Sequence, residues 1–66
     1  MEYTGELGTY EHGRYVTVLA NSPEEAYDKL YAQLKDGEEV VQIRNKYNTF
    51  VFDFMNGFEL YKERNR

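Results

Sequence analysis

The residues that could do covalent or proton chemistry are few. His12 is the only histidine, and Glu11 precedes it. A histidine beside a carboxylate can act as a general base, but Gly13 follows, and the run reads as a turn. Ser22 is the only serine. It stands before Pro23-Glu24-Glu25, where its hydroxyl serves as a helix cap. Gly5 and Gly8 precede no helix, so they do not make a phosphate-binding loop. Asp36, Glu38 and Glu39 surround Gly37, and oxygen-rich loops can hold calcium. Here the spacing of a calcium loop is absent and Lys35 sits in the cluster, which points to a solvated acidic loop. With no cysteine in the chain, disulfides and thiolate metal sites are excluded. The expectation is a chain that is not an enzyme and uses no cofactor and no metal.

What remains is non-covalent chemistry, and the sequence is rich in it. Seven Tyr and four Phe stand among only 66 residues. Each ring can bury on the order of 150–250 Å², which matters in a domain short enough to leave about 40% of its unfolded surface exposed. The chain reads as one domain over residues 1–66, with 63–66 as a frayed tail. No apolar run approaches the ~20 residues that span a bilayer, and no signal-peptide pattern opens the sequence. The expected setting is cytoplasmic, without a membrane.

The best-marked positioning element is a helix over 23–35. Ser22 caps it, Pro23 takes the first helical position, and Glu25 completes a capping box. Tyr27, Leu30, Tyr31 and Leu34 follow helical spacing and, with Ala26, make one apolar stripe. Gly37 is the expected stop. Before the helix, Arg14 to Ala20 reads as a strand, with Val16, Val18 and Ala20 on one face and Tyr15, Thr17 and Leu19 on the other. Thr9-Tyr10-Glu11 pairs with it through a turn at His12-Gly13, and Gly5 and Gly8 weaken this first strand. After the helix, Glu39 to Asn45 is a strand with Val41 and Ile43 on one face and Val40, Gln42 and Arg44 on the other. Asn45 to Asn48 is a turn. Thr49 to Met55 and Phe58 to Lys62 form a hairpin through Asn56-Gly57, placing Met55 opposite Phe58, Asp53 opposite Leu60 and Phe52 opposite Tyr61.

The fold class is therefore α+β: an antiparallel sheet with one helix packed on it, in the order β-β-α-β-β-β. Strict alternation puts Phe50, Phe52, Phe54 and Tyr61 on one hairpin face and Val51, Met55, Phe58 and Leu60 on the other. One helix covers only one face of a sheet. Either the sheet curls, with the amino-terminal strand wrapping across, or an apolar patch is left for a partner.

Charge separates the chain into two parts. Residues 1–40 hold three basic and nine acidic groups, and residues 41–66 hold five basic and three acidic groups, giving -6 and +2. Acids on and near the helix, Glu24 and Asp28 among them, suit a partner with a basic surface and would speed association. Phe50, Phe52 and Phe54 beside Arg44, Lys46 and Lys62 could instead stack unpaired bases. The overall charge of -4 makes direct nucleic-acid binding the weaker reading. A third reading is self-association into a homodimer, with the final strand pairing edge to edge.

The stretch Leu19-Ala20-Asn21-Ser22-Pro23-Glu24-Glu25-Ala26, running through the helix to Gly37-Glu38-Glu39-Val40-Val41-Gln42-Ile43-Arg44, resembles the helix-to-strand segment of the small phage proteins that inhibit host RNA polymerase. The resemblance covers fewer than half of the residues. It implies a β-hairpin, one helix and following strands, and a small host-directed inhibitor from a phage or mobile element. In that family, arginines on the strand after the helix help grip the polymerase. Arg44 matches one such position and Gln42 stands at the other.

The expected function is a non-catalytic protein-binding module that inhibits or modulates a host protein or complex. Its partner would carry a basic surface and could be a nucleic-acid-processing enzyme. Tyr and Arg most often dominate interface energy. The expected contact residues are Tyr10, Tyr15, Arg44, Tyr47 and Phe52, with Glu24 and Asp28 as steering groups.

Overall fold

A computed structural model of the protein describes residues 1–9 and 11–58. Its elements are β1 (Glu2–Gly8), β2 (Gly13–Leu19), α1 (Pro23–Tyr31), β3 (Glu39–Asn45) and β4 (Phe50–Asp53). They form one antiparallel four-stranded sheet in the order β2-β1-β3-β4, with α1 against one face. This is the expected small α+β fold. The expected last strand, Phe58 to Lys62, lies outside the described residues apart from Phe58, as do Tyr10 and the tail 63–66. No helix among the described residues is long and apolar enough to cross a membrane.

The first strand corrects the expectation. It is Glu2–Gly8 rather than Thr9–Glu11, and it pairs with β2 on one side and β3 on the other. The amino-terminal strand is thus a central strand and wraps over nothing. Thr9 belongs to the turn: its hydroxyl accepts from the Glu11 and His12 amides, and its own amide donates to the His12 carbonyl at 2.6 Å. Gly5 does not weaken the strand; it makes room for the helix. A Cβ there would overlap Leu30 Cδ1, so glycine lets α1 lie this close.

The helix begins at Pro23 with Ser22 as its cap, as the sequence predicts. Ser22 Oγ accepts from the Glu25 amide at 3.1 Å, satisfying one of the donors a helix start leaves open. It ends four residues early, at Tyr31. Gln33 and Leu34 donate to Leu30 and Tyr31, three residues back, which tightens and ends the helix. Gly37, with φ of +83°, is the left-handed residue of the following Lys35–Glu38 turn, not the helix cap. Leu34 still packs on the core.

The core joins Tyr3 and Leu7 of β1, Val18 of β2, Ala26 and Leu30 of α1, Val40 and Ile43 of β3, and Val51 and Phe52 of β4. Leu7, Leu30 and Ile43 are fully buried, each contributing about 1.5–3 kcal/mol of apolar burial. Two bulges decide which residues reach it. Glu6 pairs with Gln42 but Leu7 pairs with Val40, so Val41 is skipped. Ile43 pairs with Phe52 but Arg44 pairs with Phe50, so Val51 is skipped. A bulge places two residues opposite one and shifts the alternation. Val40 therefore joins Ile43 in the core in place of Val41, and Phe50 and Phe52 part to opposite faces.

The second hairpin also differs. Asp53 bridges Gly57 rather than Leu60, leaving Phe54, Met55 and Asn56 as the loop. Asp53 Oδ1 accepts from the Met55 and Asn56 amides at 2.9 and 2.7 Å, which starts the reversal early. Gly57, at φ of +61°, completes it.

Candidate protein-binding face

One face of the sheet lies under α1; the other carries no element among the described residues. The register sets its side chains in two rows. One row runs Thr17, Thr4, Arg44, Phe50 across all four strands, and the next runs Tyr15, Glu6, Gln42, Asp53. Short or polar side chains occupy the central strand. The Thr4 and Thr17 hydroxyls are 3.1 Å apart, and Gln42 Nε2 donates to Glu6 Oε1 at 2.8 Å.

Low groups on β1 let the larger ones meet above it. The Arg44 guanidinium lies 5.8 Å from the Tyr15 ring centre and 5.2 Å from that of Phe50. Such distances bring cation–π attraction of about 0.5–1 kcal/mol per exposed contact. Arg44 Nη1 also donates to Asn48 Oδ1 at 2.9 Å. Asn48 holds the left-handed conformation, φ +66°, that asparagine tolerates. The turn carrying it is fixed by Asn45, whose Oδ1 accepts from the Tyr47 and Thr49 amides. Arg44 is thus positioned by two rings and a hydrogen bond rather than by a carboxylate. Among the described residues, neither it nor Lys46 has an acidic partner. An open hollow of about 370 Å³ lies beside it, bordered by Glu2, Thr4, Tyr15, Arg44, Lys46 and Asn48.

This arrangement can do three things: offer aromatic faces, offer guanidinium and ammonium donors, and hold Tyr15, Arg44 and Phe50 on strands, with Lys46 on the turn that follows β3. Tyr15 is 63% exposed and Tyr47 71%. Lys46 Nζ sits 5.1 Å from the Tyr47 ring centre, at the rim of the hollow.

Of the sequence-predicted contact residues, Tyr15 and Arg44 come together here, and Tyr47 flanks them. Phe52 does not join them. It is 7% exposed, and its ring centre is 4.9 Å from those of both Tyr27 and Phe58. It is a core residue because the bulge at Val51 turns it inward. Glu24 and Asp28 are exposed on α1, on the other side of the sheet from Tyr15 and Arg44. Tyr10 lies outside the described residues. The expected contact residues omit Phe50, which only the base-stacking reading set beside Arg44, and Thr17 and Leu19 beside Tyr15. Alternation along β2 already put those last two on the face of Tyr15. Strict alternation gave Phe50 the same face as Phe52, and the bulge at Val51 separates them.

The acidic loop serves structure. Glu38 takes two bonds from Arg14, Nε to Oε2 and Nη2 to Oε1, both 2.9 Å, and one from the Lys35 amide at 2.7 Å. Arg14 Nη2 also donates to the Gln33 carbonyl. The Arg14 hydrogen bonds, followed by the Lys35 amide, lower the Glu38 pKa to about 2. This clamp ties the segment after α1 to β2. Among the described residues, no three of His, Asp and Glu converge as metal ligands. His12 and Glu11 are exposed in the β1–β2 turn. Comparison with protein-family models, with curated proteins and with solved structures gives no match.

Proposed function

We propose that the chain is a non-catalytic protein-binding module that docks its partner on the open sheet face and so inhibits or modulates a host protein or complex. The observation that carries this reading is the Arg44 guanidinium framed by Tyr15 and Phe50 on a face with no covering element among the described residues. Tyr and Arg are the side chains that most often anchor interfaces, and anchors work best when already rigid. Glu24 and Asp28, on the far side, act at long range by steering the chain toward a basic surface such as that of a nucleic-acid-processing enzyme. The resemblance of the helix-to-strand segment to phage polymerase inhibitors agrees with this, since Arg44 matches one of the arginines that grip the polymerase in that family.

The test is capture from nuclease-treated bacterial lysate with the wild type, Tyr15→Ala, Arg44→Ala and the distal control Gln33→Ala. A single stoichiometric protein should be retained by the wild type and the control. Its affinity should fall about 30-fold or more with either anchor substitution, the loss of a ~2 kcal/mol hot spot. Equal retention by all four proteins would remove the open face from the function.

The framed arginine also favours a second reading, a single-strand nucleic-acid binder that stacks bases on Tyr15 and Phe50. A salt titration of oligonucleotide binding decides it. Micromolar binding that weakens steeply with salt supports that reading, and no binding at low salt eliminates it.

A further inference from the structure

Among the described residues, the two outer strands of the sheet are protected very differently. β4 has four residues and a bulge opposite β3, and short, bulged edges resist pairing. β2 has seven residues and pairs with β1 in unbroken register from Glu2–Leu19 to Gly8–Gly13. It contains no proline and no bulge.

The hydrogen-bond parity of β2 can be read from its ends. Met1 and Ala20 exchange main-chain bonds, and the Thr9 amide donates to the His12 carbonyl. In an antiparallel pair, bonded and non-bonded positions alternate. The bonded positions are therefore Arg14, Val16 and Val18, facing β1. The amides and carbonyls of Gly13, Tyr15, Thr17 and Leu19 point outward, away from the sheet. Among the described residues, only the Leu19 carbonyl has a partner there, Lys29 Nζ at 2.5 Å. None of these outward residues is charged.

We infer that β2 is a self-association edge, where a second copy of this chain adds its own β2 antiparallel about a two-fold axis at Val16. This occupant follows from the pattern itself. With the axis there, Tyr15 meets Thr17 of the second copy and Thr17 meets its Tyr15, each pair exchanging outward amides and carbonyls. Gly13 meets Leu19, so the larger side chain faces a residue with none. Arg14 meets Val18, and the Arg14 guanidinium is already held by Glu38 of its own copy. No like charges are set opposite each other, although each chain carries -4. The contact is isologous and closes on itself, as a two-fold interface requires. The sheet becomes continuous through both copies, and the open faces join into one surface bearing two Tyr15–Arg44 sites.

Sedimentation equilibrium tests this, with protein up to on the order of 1 mM. The wild-type mass should rise with concentration from 7.9 kDa toward twice that value. Chemical synthesis with an N-methyl group on Thr17 removes one outward donor without touching the ladder to β1. It should weaken association at least tenfold while leaving the far-UV spectrum unchanged. Thr17→Pro acts at the same donor and is tolerated at an edge position whose amide points away from the sheet. In a mixed-label NMR sample of the wild type, Val16 Hα should contact Val16 Hα of the other copy. A mass of 7.9 kDa at every concentration would overturn the proposal and leave the edge to a strand of another protein. A dimer that survives N-methylation would also overturn it, by placing the contact on the open face.

Discussion

The two faces of this sheet draw on similar residue types and use them in opposite ways. Under α1, aromatic and branched side chains close against one another: Tyr27, Phe52 and Phe58 meet with ring centres 4.9–5.9 Å apart, and Leu30 fills the place left by Gly5. On the open face, Tyr15 and Phe50 close against a guanidinium instead. A ring buried among apolar groups contributes to folding. A ring held beside a cation at the surface keeps its faces available. Aromatic content by itself therefore says little; what distinguishes the faces is which neighbour the backbone register supplies.

Four substitutions or conditions test this contrast, beginning with the largest effect. Leu30→Ala should cost about 2–5 kcal/mol. A domain of this size has roughly 3–5 kcal/mol in total, so the variant should be largely unfolded by circular dichroism at 25 °C. A cooperative transition with the wild-type urea midpoint would show that the helix does not hold the covered face. Gly5→Ala comes next. Its new methyl would meet the fully buried Leu30, and overpacking of this kind costs about 1–3 kcal/mol. Thr4→Ala, one residue away on the open face, is the matched control and should shift the urea midpoint little.

The third test is acid. The folded-state pKa of Glu38 is lowered from 4.5 to about 2. Its contribution to stability is therefore fully present above pH about 4.5 and is lost as pH falls toward about 2. Wild type should lose stability across that window more steeply than Glu38→Gln, measured by urea denaturation at successive pH values. Identical profiles would mean that the Arg14–Glu38 clamp has no energetic role. The smallest expected effect is that of Tyr15→Ala on folding, within about 0.5 kcal/mol. A loss above 1.5 kcal/mol would make the open face part of the fold and undo the contrast.

Much of the fold could be read from the sequence, because several signals agreed locally. Ser22-Pro23 marked the helix start, and β-branched runs marked β2 and β3. β1 was misplaced because its signal is negative: Gly5 and Gly8 look like strand breakers until a helix is placed against them. That need is tertiary and leaves no local trace. The bulges at Val41 and Val51 are similar. Nothing in Val40-Val41-Gln42 or Phe50-Val51-Phe52 announces a skipped residue, and each skip exchanges the faces of everything beyond it. Of the candidate site, Tyr15 and Arg44 were identifiable by residue type and by the alternation of their strands. Phe50 was set beside Arg44 only together with Phe52, and Phe52 was taken for a contact residue, because one extra residue decides which of them faces Arg44.

The central position of β1 also bears on how the chain is assembled. Its hairpin with β2 forms locally, a process of about 1–10 μs in isolated hairpins, yet a two-stranded hairpin is only marginally stable in water. Its second neighbour begins at Glu39, beyond β2 and the whole of α1. Closing so long a loop carries an entropic cost that is recovered only when β3 docks. During synthesis, the first described strand to leave the ribosome is thus still missing one side while the helix forms. The sheet is completed from its middle only when β3 arrives, and until then the inner edge of β1 is the surface most open to mispairing.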